Sequence, residues 1–173
     1  MLNGGYLYDL AKCYQAAIND ANISFDCIYG PAYKGIFLGS IVSMILSEDG
    51  GKYPLSFNRK EIKDHGEGGT IIGKNPAGDV LIIDDVISAG TAAKESIEKI
   101  KDLGATPKVM LVGLDRQEKG KSDISARQEL ETMFEIQVIS IINLDTLIAF
   151  SEDNSDHKKY LEQLVSYRDE WGA

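Results

Sequence analysis

Apolar residues return along this chain in two alternating periods, short β-rich runs and longer stripes at helical spacing. Leu7, Leu10, Ala11, Tyr14 and Ala17 form the first stripe and predict a core-facing helix over about Gly5 to Ala21. Phe25 to Tyr29 reads as a short strand ending at Gly30-Pro31, and Leu38, Ile41, Val42 and Ile45 place a helix after that turn. Leu55 to Asn58 is the next strand. After a charged, glycine-punctuated stretch from Arg59 to Gly69, Thr70 to Gly73 reads as its returning partner. Val80 to Ile83 and Val109 to Leu114 are unbroken apolar runs, as strands buried on both faces require. A helix near Ser125–Phe134, a strand at Val138–Ile142, a short helix at Leu144–Phe150 and a last helix with Tyr160, Leu164, Tyr167 and Trp171 on one face complete the pattern. Strands alternating with helices predict an α/β protein, its mostly parallel sheet flanked by helices on both faces, with ligands outside the carboxyl ends of the strands.

The centre of this pattern is Val80–Lys101, where the apolar run ends in Asp84 and Asp85 and passes through Ser88-Ala89-Gly90-Thr91 into a helix. Ala93, Ile97, Ile100 and Leu103 give that helix its stripe, and Gly104 stands where a left-handed C-terminal cap is expected. Its first N–H groups lack intrahelical partners and lie at the positive end of the helix dipole, and the small residues before it leave room for a ligand at the main chain. The stretch therefore reads as a phosphate cradle with hydroxyls at Ser88 and Thr91, and no Gly-Lys-Ser/Thr follows to make it a Walker loop. Two acceptor-only carboxylates beside such a cradle suit a ribose 5-phosphate. The spacing alone also fits a buried strand with a solvated acidic end, or another nucleotide-binding fold.

Composition narrows the setting. With 173 residues, 43% hydrophobic and 26% charged, the chain suits a single domain over 1–173. A net charge of −9 disfavours nonspecific binding to nucleic acid or anionic membrane, while Arg59, Lys60 and Lys63 form a local basic patch. Cys13 and Cys27 have no metal spacing and read as buried free thiols. No signal-peptide pattern opens the chain and no run reaches membrane-spanning length, so a cytoplasmic protein is expected.

VLIIDDVISAGTA at 80–92 resembles the phosphoribosyl-diphosphate (PRPP) signature of type I phosphoribosyltransferases. GPAYKG at 30–35, FNRKEIKDHGEGG at 57–69 and LDRQEKG at 114–120 resemble the orotate-specific members of that family. The resemblance runs from Asn3 to Trp171 and implies the type I phosphoribosyltransferase fold with a flexible catalytic loop. It implies PRPP contacts at Tyr33, Lys34, Arg59, Lys60, Lys63, His65, Asp84, Asp85, Val86, Ile87, Ser88, Ala89, Gly90, Thr91 and Ala92, and orotate contacts at Ser88 and Arg116. Lys63, His65, Asp84 and Asp85 would carry catalysis. Arg59, Lys60, Lys63 and His65 would neutralise the leaving diphosphate as their loop closes and excludes water. Mg²⁺ is implied as cofactor, held mainly by substrate oxygens, and a homodimer is implied in which each loop serves the neighbouring subunit's site. The products would be orotidine 5′-monophosphate and diphosphate, in pyrimidine synthesis.

Taken alone, Lys34, the loop cations and Arg116 also fit solvated surface positions. Two rival functions share the PRPP signature: a transferase for another base, and a PRPP-sensing regulator that binds nucleic acid, against which the acidic charge argues. The resemblance departs at the front, where family members carry a further segment that hoods the pyrimidine. Without it, PRPP is expected to bind normally and orotate weakly.

Overall fold

The computed structural model describes residues 3–48, 50–59, 70–87, 90–122 and 124–173. Helix α1 (Gly4–Asp20) opens at Asn3, whose side-chain oxygen accepts a hydrogen bond from the Tyr6 N–H at 3.0 Å. That cap satisfies one of the donors a helix start leaves open. Ala11, Tyr14 and Ile18 are buried on its inner side. Cys13, two residues beyond Ala11 and so more than half a turn round, is exposed, contrary to the expected buried thiol. Cys27 is buried as expected, and both cysteines are free.

After α1 come β1 (Cys27–Gly30), α2 (Lys34–Glu48), β2 (Leu55–Asn58), β3 (Ile71–Gly73), β4 (Asp79–Ile87), α3 (Thr91–Asp102), β5 (Thr106–Asp115), α4 (Ala126–Phe134), β6 (Gln137–Asn143) and α5 (Leu144–Asp153). A 3₁₀ turn at Lys158–Tyr160 leads into α6 (Leu161–Trp171). The strands form one sheet in the order β3-β2-β1-β4-β5-β6, with every neighbouring pair parallel except β2 and β3. The alternation of strands and helices predicts this layout.

Two apolar layers sandwich the sheet. Leu81 and Ile83 pack with Tyr14 and Ile18 of α1 and Leu38, Val42 and Ile45 of α2. Val80 and Ile82 pack on the other face with Ile97 and Ile100 of α3 and Leu130 of α4. Each such side chain, fully buried, contributes roughly 1.5–3 kcal/mol. Burial on both faces explains why β4 is apolar without alternation.

The structure differs from the expected elements in three places. β4 does not stop at Ile83, because β5 goes on pairing beside it, Asp84 with Val112, Val86 with Leu114 and Ile87 with Asp115. Asp84 and Asp85 thus sit on the strand itself. Leu103 is not a core position of α3 but its exposed C-terminal cap, and Gly104 beyond it has a φ of 80°, the left-handed turn expected there. Tyr160 precedes α6 instead of lying on it, and both Tyr160 and Trp171 are exposed. Among the described residues no helix is long and apolar enough to cross a membrane.

Candidate active site

From β1 the chain moves outward to β2 and β3, whereas from β4 it moves the other way to β5 and β6. The order therefore reverses between β1 and β4, and connections leave these strands on opposite faces of the sheet. A crevice opens at the carboxyl ends of such a pair. Three sequence motifs meet there: the turn after β1, the acidic end of β4 and the start of α3.

The turn after β1 lies tight against β4. A Cβ on Gly30 would overlap the Gly35 carbonyl, and a Cβ on Gly35 would stand 2.7 Å from the Ile83 carbonyl oxygen. Only glycine at both positions lets α2 begin directly beside the end of β4. The Ala32–Tyr33 peptide is cis, and the Ala32 N–H donates to Asn58 Oδ1 at 2.9 Å, which ties the turn to the end of β2. Lys34, mostly exposed, pairs with Asp85 Oδ2. That hydrogen bond is the main reason its ammonium is held more basic than usual. Tyr33 is exposed at the same turn.

Asp84 is more enclosed. Burial pushes its carboxyl up to about 6, reinforced by the Asp85 charge and opposed by the Asp85 N–H, which donates to Asp84 Oδ1 at 2.9 Å. Its main-chain carbonyl accepts from the Tyr14 hydroxyl at 2.7 Å. Burial, then the charges of Asp85 and Asp84, hold the Tyr14 phenol far above its ordinary range, so it remains a donor. Tyr14 was legible in the sequence only as a core residue of α1. Its hidden signal was the hydroxyl itself, which needs a partner when buried.

Helix α3 begins at Thr91, as expected, with Gly90 as its N-cap. The Lys94 N–H is the first to bond back, to the Gly90 carbonyl at 3.0 Å, so the N–H groups of Thr91, Ala92 and Ala93 have no intrahelical acceptor. Gly90 has a φ of 74°, and a Cβ there would meet Leu130 and Ala126 of α4 at 3.8–3.9 Å. The left-handed backbone there favours glycine, which carries no Cβ penalty. Val86 is half-buried and Ile87 belongs to the core, so Ile87 offers the crevice its main chain only. Lys60, Lys63, His65, Ser88 and Ala89 lie outside the described residues. Arg59 is described. Its N–H donates to the Thr70 carbonyl at 2.8 Å, and its side chain lines a cleft of about 420 Å³ with Tyr29, Ala32, Asn58 and Ala92.

Arg116 follows β5 directly, and its N–H donates to the Ile87 carbonyl at 3.4 Å. The guanidinium is close enough to Lys34 to oppose its protonation. Arg116 therefore borders the same crevice, on the side away from β1. A larger polar cleft of about 520 Å³ lies beyond β5 and β6, lined by Asp115, Arg127, Glu131 and Asn143. Its charges already answer one another, with Arg127 3.9 Å from Asp115 and 3.4 Å from Glu131, and the α4 N-terminus beside it is closed by the Ser125–Gln128 capping box.

Glu129 on α4 joins α3 to the loop after β5, a contact the sequence does not reveal. It pairs with Lys94 of α3 at 3.3 Å and accepts from the Ser122 N–H and hydroxyl, both at 2.8 Å. The Ser122 hydrogen bonds hold its carboxyl down to about 2. A carboxyl depressed in the folded state stabilises the protein above its unfolded value of 4.5 and loses that contribution as pH falls through about 2. The melting temperatures of wild type and Glu129→Gln should accordingly differ at pH 7 and converge between pH 4.5 and 2. A gap that stays constant with pH would contradict this assignment.

The fold is that of the phosphoribosyl transferases, as comparison with known proteins shows. A model of the phosphoribosyl transferase domain matches residues 5–140. The chain is 49% identical over 170 residues to the orotate phosphoribosyltransferase of Marinobacter nauticus, a match covering 98% of this chain and 80% of that one. It is 48% identical to the enzyme of the same name from Nitrosomonas europaea, covering 100% of this chain and 77% of that one. The crystal structure of the Francisella tularensis orotate phosphoribosyltransferase superposes with a TM-score of 0.83 at 34% identity, over 99% of this chain and 82% of that one. The chain belongs to the orotate phosphoribosyltransferase family.

Proposed function

We propose that the protein transfers the 5-phosphoribosyl group of PRPP to orotate, giving orotidine 5′-monophosphate and diphosphate in pyrimidine synthesis. The observation that carries this reading is the convergence, at the β1–β4 reversal, of Lys34, the Asp84-Asp85 pair and the open N–H groups of α3. A diphosphate, a ribose diol and a 5-phosphate need those three kinds of partner. Arg116 on the far side offers a planar fork for the carboxylate of the base.

In the reaction an orotate ring nitrogen bonds to the anomeric carbon and gives up its proton to the diphosphate or solvent, as the bond from that carbon to the diphosphate oxygen breaks and the electron pair leaves with diphosphate. Asp84 and Asp85 accept from the ribose hydroxyls and face the positive charge that develops on the sugar. Thr91, Ala92 and Ala93 donate their N–H groups to the 5-phosphate, with Ser88 completing the cradle and reaching the base. Tyr33, Lys34 and the loop residues Arg59, Lys60, Lys63 and His65 hold the departing diphosphate. Lys34 and Asp85 neutralise each other in the structure, and a substrate carrying both diphosphate and hydroxyls gives each a new partner. The half-exposed carboxylates of Asp84 and Asp85 are hard oxygen donors of the kind Mg²⁺ accepts alongside phosphate oxygens and water. When bound, Mg²⁺ neutralises diphosphate charge.

The functional test is PRPP-dependent consumption of orotate, uracil, hypoxanthine and adenine in parallel assays. Orotate should turn over well ahead of the others. A preference for any other base would refute the assignment.

We also place the protein in the cytoplasm and propose that it acts as a homodimer. Helix α2 is apolar nearly all round, a property of helices buried on every side. Yet Phe37 and Met44, seven residues apart on one face of the helix that follows the Tyr33–Lys34 turn, are exposed. A second copy covering that face would bury both side chains. Phe37→Glu combined with Met44→Glu should therefore shift the protein from dimer to monomer in light scattering and lower turnover. A wild-type monomer of 19.0 kDa would contradict the proposal.

A further inference from the structure

Arg116 is held from behind by the C-terminal helix. Its Nη1 donates to Glu118 Oε1 at 3.2 Å and contacts the Tyr167 hydroxyl at 3.4 Å, while the Tyr167 hydroxyl donates to the same Glu118 oxygen. These three groups close a ring between the end of β5 and α6. Glu118 is largely enclosed there, with 15% of its side chain exposed against 44% for Arg116.

The main chain fixes the ring in place. The Lys119 N–H donates to the Trp171 carbonyl at 2.9 Å, and the Ala173 N–H to the Gln117 carbonyl at 3.0 Å. Gln117 in turn exchanges two hydrogen bonds with Asp145 of α5, at 3.0 and 2.8 Å, and Asp145 pairs with Arg168 of α6 at 3.5 Å. So α6, which buries no residue fully, is anchored by polar contacts converging on 116–119.

A guanidinium presents five N–H groups in one plane, and a carboxylate is gripped best by the edge formed by Nε and Nη2. With Nη1 engaged behind, that edge has no partner among the described residues. We infer that Tyr167 and Glu118 are positioning residues that hold the Arg116 fork toward the base, so that α6 sets the preference for a pyrimidine bearing a carboxylate. The inference rests on the proposed role of Arg116 in binding orotate. Orientation has a cost, since Glu118 offsets part of the charge on Arg116. The shared Tyr167 hydroxyl draws density from the carboxylate and limits that offset.

The test is steady-state kinetics on Tyr167→Phe, which keeps the ring and removes only the hydroxyl, with Glu118→Gln, Arg116→Ala and the Arg116→Ala/Tyr167→Phe double variant. Tyr167→Phe should raise KM for orotate about five- to tenfold, the scale of one lost hydrogen bond to a charged network, and leave KM for PRPP within about twofold. In the Arg116→Ala background it should add nothing, because the group it acts through is gone. Equal changes in both KM values, or an additive double variant, would show a general structural role and overturn the inference. A lower orotate KM for Glu118→Gln would overturn it too, by showing that Glu118 masks Arg116. If Arg116→Ala itself leaves orotate KM unchanged, the underlying reading of Arg116 fails. If Arg116→Ala raises it and neither Tyr167→Phe nor Glu118→Gln does, only the positioning role fails. Should Tyr167→Phe fold poorly, Glu118→Gln carries the same double-variant comparison.

Discussion

Asp85→Asn is expected to lower turnover by about a hundredfold or more while leaving the melting temperature almost unchanged. In the proposed reaction the carboxylate would face the sugar on which positive charge develops, and loss of one preorganised electrostatic partner of a transition state commonly costs about 10²–10³-fold. In the folded protein its partner is the exposed Lys34, and such pairs contribute little to stability. Asp84 adds a pH signature. Its carboxyl, raised to about 6 by burial, favours the folded state most below the unfolded value of 3.8 and loses that contribution as pH rises through about 6. Substrate binding reverses the preference, since the ionised form is the better acceptor for ribose hydroxyls. PRPP affinity should therefore fall as pH drops below about 6, and Asp84→Asn should abolish the inflection. Calorimetric titration between pH 5 and 8 checks both expectations, and an inflection retained in Asp84→Asn would assign it elsewhere.

The second large effect is structural in origin. Gly35→Ala should cost about 1–3 kcal/mol or more in stability and remove PRPP binding in whatever fraction folds. The added methyl would stand 2.5 Å from Pro31 Cδ and 2.7 Å from the Ile83 carbonyl oxygen, distances that force the β1–α2 turn away from β4. Lys34 would leave Asp85, and the crevice would lose one wall. Urea unfolding with PRPP titration measures the two losses. Unchanged affinity in a stable Gly35→Ala protein would mean that the turn does not shape the site.

These glycines show where the sequence was informative. Gly30 and Gly35 frame a strand–turn–helix unit whose order was legible from apolar spacing alone, and so was the start of α3 at Thr91. Periodicity reports which face of an element is buried, and for a sheet covered on both sides that suffices to give its class. It reports poorly where hydrogen bonding outlasts the apolar run. β4 therefore extends past Ile83 to carry Asp84 and Asp85, because β5 supplies partners that no local pattern announces. The motif resemblance implied PRPP and base contacts, yet what holds two of these residues is distant in sequence: Tyr14 below Asp84 and Tyr167 behind Arg116. Such contacts depend on tertiary placement. A tyrosine in an apolar stripe shows that a hydroxyl needs a partner, but not which one.

The central claim, that PRPP occupies the β1–β4 crevice, is tested most directly by amide NMR during titration with PRPP and Mg²⁺. The largest shifts should fall on Gly30, Ala32, Lys34, Asp84, Asp85, Thr91 and Ala92, and Asp85→Asn should weaken them. Shifts concentrated instead on Gln117, Arg127, Glu131 and Asn143, with the crevice amides unmoved, would contradict it.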